Sequence, residues 1–199
     1  MNSKNNIIEV GILLFQDVDV LDFAGPFEVF SLAKKDGRKL FNVTMISETG
    51  NMITACNGLK VVPNHDFTNH PQLDILIIPG GYGAEEIEIK NIKVLEWIKQ
   101  QHKKVQNLAS ICTGALLLAE CGIFDNKSAT THWLYLDMFA ASYPSVNVLR
   151  NVKFVDEGKV ISSAGISAGI NMSFHLIKKL FDTEVAKTTA KRMEYDIEI

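Results

Sequence analysis

The sequence predicts one α/β domain over residues 1–199, built on a mostly parallel sheet with helices on both faces. Three observations predict it. Short apolar runs of strand type alternate with stretches of helical periodicity along the chain. The run Leu73-Asp-Ile-Leu-Ile-Ile78 is almost continuously apolar, as suits a parallel strand covered on both faces. No internal repeat, low-complexity segment or linker divides the chain, and 199 residues with an apolar share of 47% suffice for one core.

Taken in order, residues 7–15 read as a buried first strand, and 16–22 as the loop that leaves it. Residues 25–33 read as a helix with Pro26 in its first turn, where a missing N–H is harmless. Residues 41–47 form a second strand, 49–51 a turn, and short strands are expected near Ile53 and at 59–62. The 73–78 run breaks at Pro79-Gly80-Gly81, and 84–104 is helical with a break near Asn91. Residues 105–110 form the next strand. A helix over 113–120 follows, rich in Ala and Leu and stopped by Gly122. A helix near 132–141 stops before Pro144. Strands at 146–155 and 159–163 are joined by a hairpin at Asp156-Glu-Gly158. Two helices, to about Phe181 and then over 184–194, close the chain.

The formal charge of −3 gives no electrostatic footprint for nucleic acid or an anionic membrane, and no apolar stretch is long enough to span a bilayer. Glu9 interrupts the first apolar run and no small-residue cleavage site follows, so a strand is expected there rather than a signal peptide. The three cysteines, Cys56, Cys112 and Cys121, form neither an even framework nor a CxxC pair, which points to a reducing cytoplasm. No histidine spacing resembles a zinc or iron site; neither metal nor cofactor is expected.

Cys112 stands at the joint between the 105–110 strand and the helix that follows. A residue in such a turn is expected to be pushed out of the sheet edge. The adjacent helix N-terminus is expected to lower its pKa, favouring the nucleophilic thiolate. Cys56 and Cys121, at no such joint, are expected to pack. Thr113 offers a hydroxyl and an N–H, with Gly114 after it, for a developing charge. Gly80 and Gly81 end the neighbouring strand and read either as an oxyanion hole or as an ordinary tight turn. Asp17, Asp19 and Asp22 all lie on the carboxyl side of the first strand, and composition does not choose among them as an acid/base. His132 reads either as a base for the thiol or as a first-turn residue of a helix capped by Thr131. Gly165-Ile-Ser167-Ala-Gly169 matches the serine nucleophile elbow, but no acid and then histidine follow in the required order. Its small residues are expected to pack a helix on the sheet.

Leu21-Asp22-Phe-Ala-Gly25-Pro26, Ile77-Ile-Pro-Gly80-Gly81, Ile111-Cys112-Thr113-Gly114, Ala129-Thr-Thr-His132-Trp133 and Ser163-Ala-Gly-Ile-Ser-Ala-Gly169 together resemble the ThiJ/PfpI (DJ-1) superfamily. Within it they are most similar to the isonitrile hydratase branch and to the sensor domains of AraC-type regulators. The resemblance implies a single-domain, flavodoxin-like three-layer sandwich of the class I glutamine amidotransferase-like kind, usually a homodimer. It implies Cys112 as nucleophile, Asp22 as acid/base, and Thr113 and Gly81 as pocket residues. It implies hydration of a small isocyanide to an N-substituted formamide, without cofactor. The alternatives are a ligand or redox sensor and a glyoxalase-like activity on small dicarbonyls. Protease-like members place a histidine after the cysteine, where this chain has Thr113, which argues against peptidase chemistry. Asn171 stands where the motif often has Asp. AraC-type regulators continue into a helix-turn-helix domain and this sequence stops at Ile199, so nucleic-acid binding is not expected.

Overall fold

The computed structural model describes residues 7–197. Its main elements are β1 (Ile8–Leu13), α1 (Val20–Leu32), β2 (Phe41–Ser47), β3 (His65–Asp66), β4 (Ile75–Ile78), α2 (Tyr82–Glu86), α3 (Ile92–Lys104) and β5 (Asn107–Ile111). They continue with α4 (Gly114–Glu120), α5 (Leu136–Ser142), β6 (Phe154–Glu157), β7 (Val160–Ser163), α6 (Ala168–Leu180) and α7 (Thr183–Arg192). One seven-stranded sheet runs in the order β6-β7-β5-β4-β1-β2-β3. Only the β6–β7 pair is antiparallel. Helices α1, α6 and α7 pack together, as do α2, α3 and α4, forming the two outer layers. No helix among the described residues is long and apolar enough to cross a membrane.

The expected sheet is therefore present, and its winding places the site. The chain leaves β1 towards β2 and β3, then crosses back over β1 to lay down β4, β5 and β7 on the other side. Between β1 and β4 the strand order reverses, and the loops leaving their carboxyl ends separate there to open a crevice. The residues in that crevice come from the β1–α1 loop, the turn after β4 and the turn after β5. The apolar pattern explains why the strands stay put: Val10, Ile12, Ile75, Leu76, Ile77, Ile78, Leu108 and Ala109 are all sealed from solvent.

Several local expectations need correction. Helix α1 begins at Val20, not near Gly25, so Asp22 is in its first turn and Pro26 lies inside it. A proline there removes the N–H that would bond the Asp22 carbonyl, a cost met because α1 is held by tertiary packing. The 84–104 helix is three pieces, α2, a 3₁₀ turn at Glu88–Lys90 and α3; Asn91, at the expected break, accepts from the Lys93 N–H as N-cap. The expected 146–155 strand is split. Asn147–Val148 pairs with Ser128–Ala129 in a separate small sheet, and only Phe154–Glu157 joins the main one. A hairpin of Lys34–Lys35 with Arg38–Lys39 was signalled by its Asp36-Gly37 turn, both residues at positive φ, but was not read. The stop of α4 is as expected. Gly122 has φ +71°, and the Ile123→Leu118 and Gly122→Ala119 N–H···O=C bonds make a Schellman motif.

Candidate active site

Cys112 follows β5 directly and has φ +53°, a left-handed conformation that is strained for a residue with a side chain. That strain is the signature of an elbow that turns a strand straight into a helix. Its carbonyl is held by the Thr131 hydroxyl, which donates at 2.8 Å. The sulfur is not proud of the sheet: Cys112 is only 3% exposed. Its surroundings are nonetheless polar, because the carboxylates of Asp19 and Asp22 and the Cys112 Sγ all lie within 4.8 Å of one another. Among the described residues this is the one group of three such side chains close enough to share a cation, and no histidine belongs to it.

Asp22 is fully buried at 0% exposure. Its Oδ2 accepts from the Gly80 N–H at 2.9 Å, while its Oδ1 has no hydrogen-bond partner among the described residues. Burial and the nearby Asp19 charge push the carboxyl up, against the Gly80 N–H and the facing thiol, to about 7. The thiol moves the same way. Burial first, and then the Asp22 charge, push Cys112 well above its ordinary value, against the Thr113 and Ile166 N–H groups. The expected lowering of the thiol is thus corrected. Helix α4 spans only Gly114–Glu120, and its field is outweighed by desolvation and a neighbouring carboxylate. Near neutral pH the thiol therefore keeps its proton, while the carboxyl is poised between its two forms.

The glycines are arranged differently from two free oxyanion donors. The Gly80 N–H is committed to Asp22, and the Gly81 N–H donates to Thr113 Oγ1 at 3.0 Å. Gly81, at φ +125°, passes so close to the β1–α1 loop that a Cβ would fall 2.5 Å from the Asp17 carbonyl. The Thr113 hydroxyl therefore locks this turn, while the Thr113 N–H faces the sulfur. Thr113→Val keeps the shape and leaves the Gly81 N–H buried without an acceptor. It is expected to cost about 1–3 kcal/mol of stability in urea unfolding.

A profile of the DJ-1/PfpI family matches residues 9–179. The chain belongs to the DJ-1/PfpI family. Isonitrile hydratase of Pseudomonas putida is 29% identical over 189 residues, covering 94% of this chain and 78% of that protein. The HTH-type transcriptional regulator GbdR of Pseudomonas aeruginosa is 25% identical, over 97% of this chain but only 52% of the regulator. The crystal structure of a ThiJ/PfpI family protein from Pseudomonas syringae superposes with a TM-score of 0.85 at 23% identity, over 98% of this chain and 77% of that one. The DJ-1/PfpI fold expected from the sequence is thereby established, with both an enzyme and regulators among its relatives.

Within this DJ-1/PfpI chain the remaining candidates separate. His132 is half-buried, with its ring against Gly165 and its Nδ1 accepting the Leu134 N–H, so it caps the 3₁₀ turn Trp133–Tyr135 itself. The expected Thr131 cap is instead bonded to Cys112. Gly114 presses on the end of β4. Asp17 turns its backbone, not its carboxyl, to the site: its carbonyl accepts from Gly83 N–H and Cys56 Sγ. Asp19, one of the three acids that composition left open, joins the cluster through its carboxylate. Three contributors were not found by reading the sequence: Ile166, whose N–H faces the sulfur, Thr131, whose hydroxyl holds the Cys112 carbonyl, and Cys56. Cys56 lies beside Asp19, and burial, followed by that carboxylate, holds its thiol up too. Ile166 carried a signal in the small-residue stretch around it, since its φ of +48° belongs to a turn and not to a helix. Thr131 lay within the Ala129–Trp133 stretch of the family pattern, but nothing in it pointed to Cys112, 19 residues away.

Proposed function

We propose that this protein is a cysteine-dependent, cofactor-free hydratase that converts an isocyanide and water into an N-substituted formamide. The observation that carries the reading is the Asp22 carboxyl facing the Cys112 sulfur with one oxygen unpartnered and a pKa near 7. A carboxyl so placed takes and returns a proton at neutral pH, which is what general acid–base work requires. The 29% identity to isonitrile hydratase supports the same reading.

The chemistry starts from a protonated thiol, because a thiolate beside a carboxylate in a buried site is disfavoured. As sulfur attacks the terminal isocyanide carbon, its proton passes to Asp22, which delivers it to that carbon. An S–C bond and a C–H bond form, leaving a thioimidate. Water then adds across the C=N bond, its oxygen to carbon and a proton to nitrogen. Breaking the S–C bond returns a proton to sulfur from the new hydroxyl and releases the formamide. One isocyanide and one water give one formamide. The Thr113 and Ile166 N–H groups face the sulfur and stabilise negative charge growing there.

The test is incubation of the purified protein with an aryl isocyanide, following formamide by chromatography. Turnover is expected for the parent and none above the uncatalysed rate for Cys112→Ala. Turnover that survives Cys112→Ala removes the hydratase reading. The near-complete burial of the sulfur favours one second reading, a sensor site. Specific binding of a small ligand, with no turnover of isocyanides or dicarbonyls, would select it.

A further inference from the structure

We propose that a second cavity, two strands away from the Cys112 strand, binds a small carboxylate whose body is an aromatic or branched apolar group. The cavity measures about 250 Å³ and lies between the start of β6 and one face of α6. Asn171, Phe174, His175 and Lys178 line it at the i, i+3, i+4, i+7 spacing of a single helical face, and Lys153 and Phe154 close it from β6. An engineered cavity of about 150 Å³ holds benzene, so this one has room for a ring and a carboxylate.

Three features define the ligand. The first is Asn171, the departure from the motif noted in the sequence. It is only 9% exposed, yet its side-chain amide makes no hydrogen bond among the described residues while lining the cavity. Its amide therefore opens onto the cavity, where both its donor and its acceptor are available to an occupant with polar atoms. The second is charge. Lys153 and Lys178 have no acidic partner among the described residues. The one carboxylate close by, Asp156, is already held by Lys179 at 2.9 Å on each oxygen and by His175 Nε2 at 2.7 Å, so it does not offset the two lysines. The third is the floor. Phe154, Phe174 and Ile197 are apolar, and the Phe154 ring lies 4.6 Å from the His175 ring, which the bond to Asp156 holds in place. An apolar floor with two cationic ammoniums and an amide at its edge suits an organic monoanion, the amide and ammoniums meeting the carboxylate. Nothing in this assignment depends on the chemistry at Cys112.

The experiment titrates benzoate into the ¹⁵N-labelled full chain and follows the Asn171 side-chain amide, with benzyl alcohol as the uncharged counterpart. Saturable shifts of that amide and of the α6 backbone around it are expected, with benzyl alcohol binding about tenfold or more weaker. Lys178→Glu, at an exposed position, is expected to weaken benzoate by about tenfold while the protein stays folded and Cys112 keeps its reactivity. Asn171→Leu is expected to weaken it likewise. The proposal is overturned if benzoate leaves the Asn171 amide unmoved, if the alcohol binds as well as the acid, or if Lys178→Glu binds benzoate as the parent does.

Discussion

Asp22→Asn is expected to slow formamide production by about 10²- to 10⁴-fold while making the fold more stable at pH 8. Both effects follow from one buried carboxyl. In the unfolded chain an aspartate titrates near 3.8; in the fold burial lifts Asp22 to about 7. Between those values the folded state binds the proton and the unfolded state does not. Stability therefore falls as pH rises from about 4 to 7 and levels off above, where the charge is buried at full cost. Asparagine cannot ionise, so this slope should disappear. The variant should gain on the order of a few kcal/mol at pH 8 and little at pH 4. Urea unfolding at the two pH values measures the stability, and the rate is read on the folded variant. If Asp22→Asn instead lowers stability at pH 8 and its activity tracks the folded fraction, the carboxyl is a structural group and the proton-transfer role is lost.

Gly114→Ala is expected to destabilise the protein by roughly 3 kcal/mol, a large effect for one methyl group. Gly114 is the first residue of α4, where the helix comes down onto the end of β4. A Cβ there would fall 2.2 Å from the Ile78 carbonyl oxygen and 2.6 Å from that of Pro79. Both obstacles are backbone, so no rotamer relieves them, and α4 must lift from the sheet. Because Cys112 and Thr113 connect β5 to α4, the lift should loosen the elbow and the lock on Gly81. Iodoacetamide labelling of Cys112 should become faster in the variant, alongside its lower urea midpoint. Unchanged labelling with unchanged stability would show that the elbow does not rely on this contact.

The sheet was legible because the information in it is local. Leu73–Ile78 reads as a doubly covered strand from its own composition, and it is one. The Gly122 stop of α4 and the Asn91 break before α3 were also readable, each from one residue with a strong backbone preference. Where the reading failed locally, packing had overridden propensity. Pro26 signalled a helix start, but α1 begins six residues earlier, because burying Phe23, Val29 and Phe30 holds the helix in place through the proline. The 146–155 strand failed because pairing partners, not composition, decide which sheet a strand joins.

The sequence by itself determined the α/β class and the position of Cys112 at a strand-to-helix joint and, through the family pattern, pointed to the Asp22 carboxyl that the fold sets near the sulfur. Only the tertiary structure decided how those two groups behave. Sequence spacing can put a thiol at a helix N-terminus, but a pKa sums burial and every charge nearby. Here the charges come from the N-cap and first turn of α1, about ninety residues upstream, brought close by the reversal of strand order between β1 and β4. Desolvation and carboxylate proximity are products of the whole fold, so the raised carboxyl and thiol could be read only once the chain was folded.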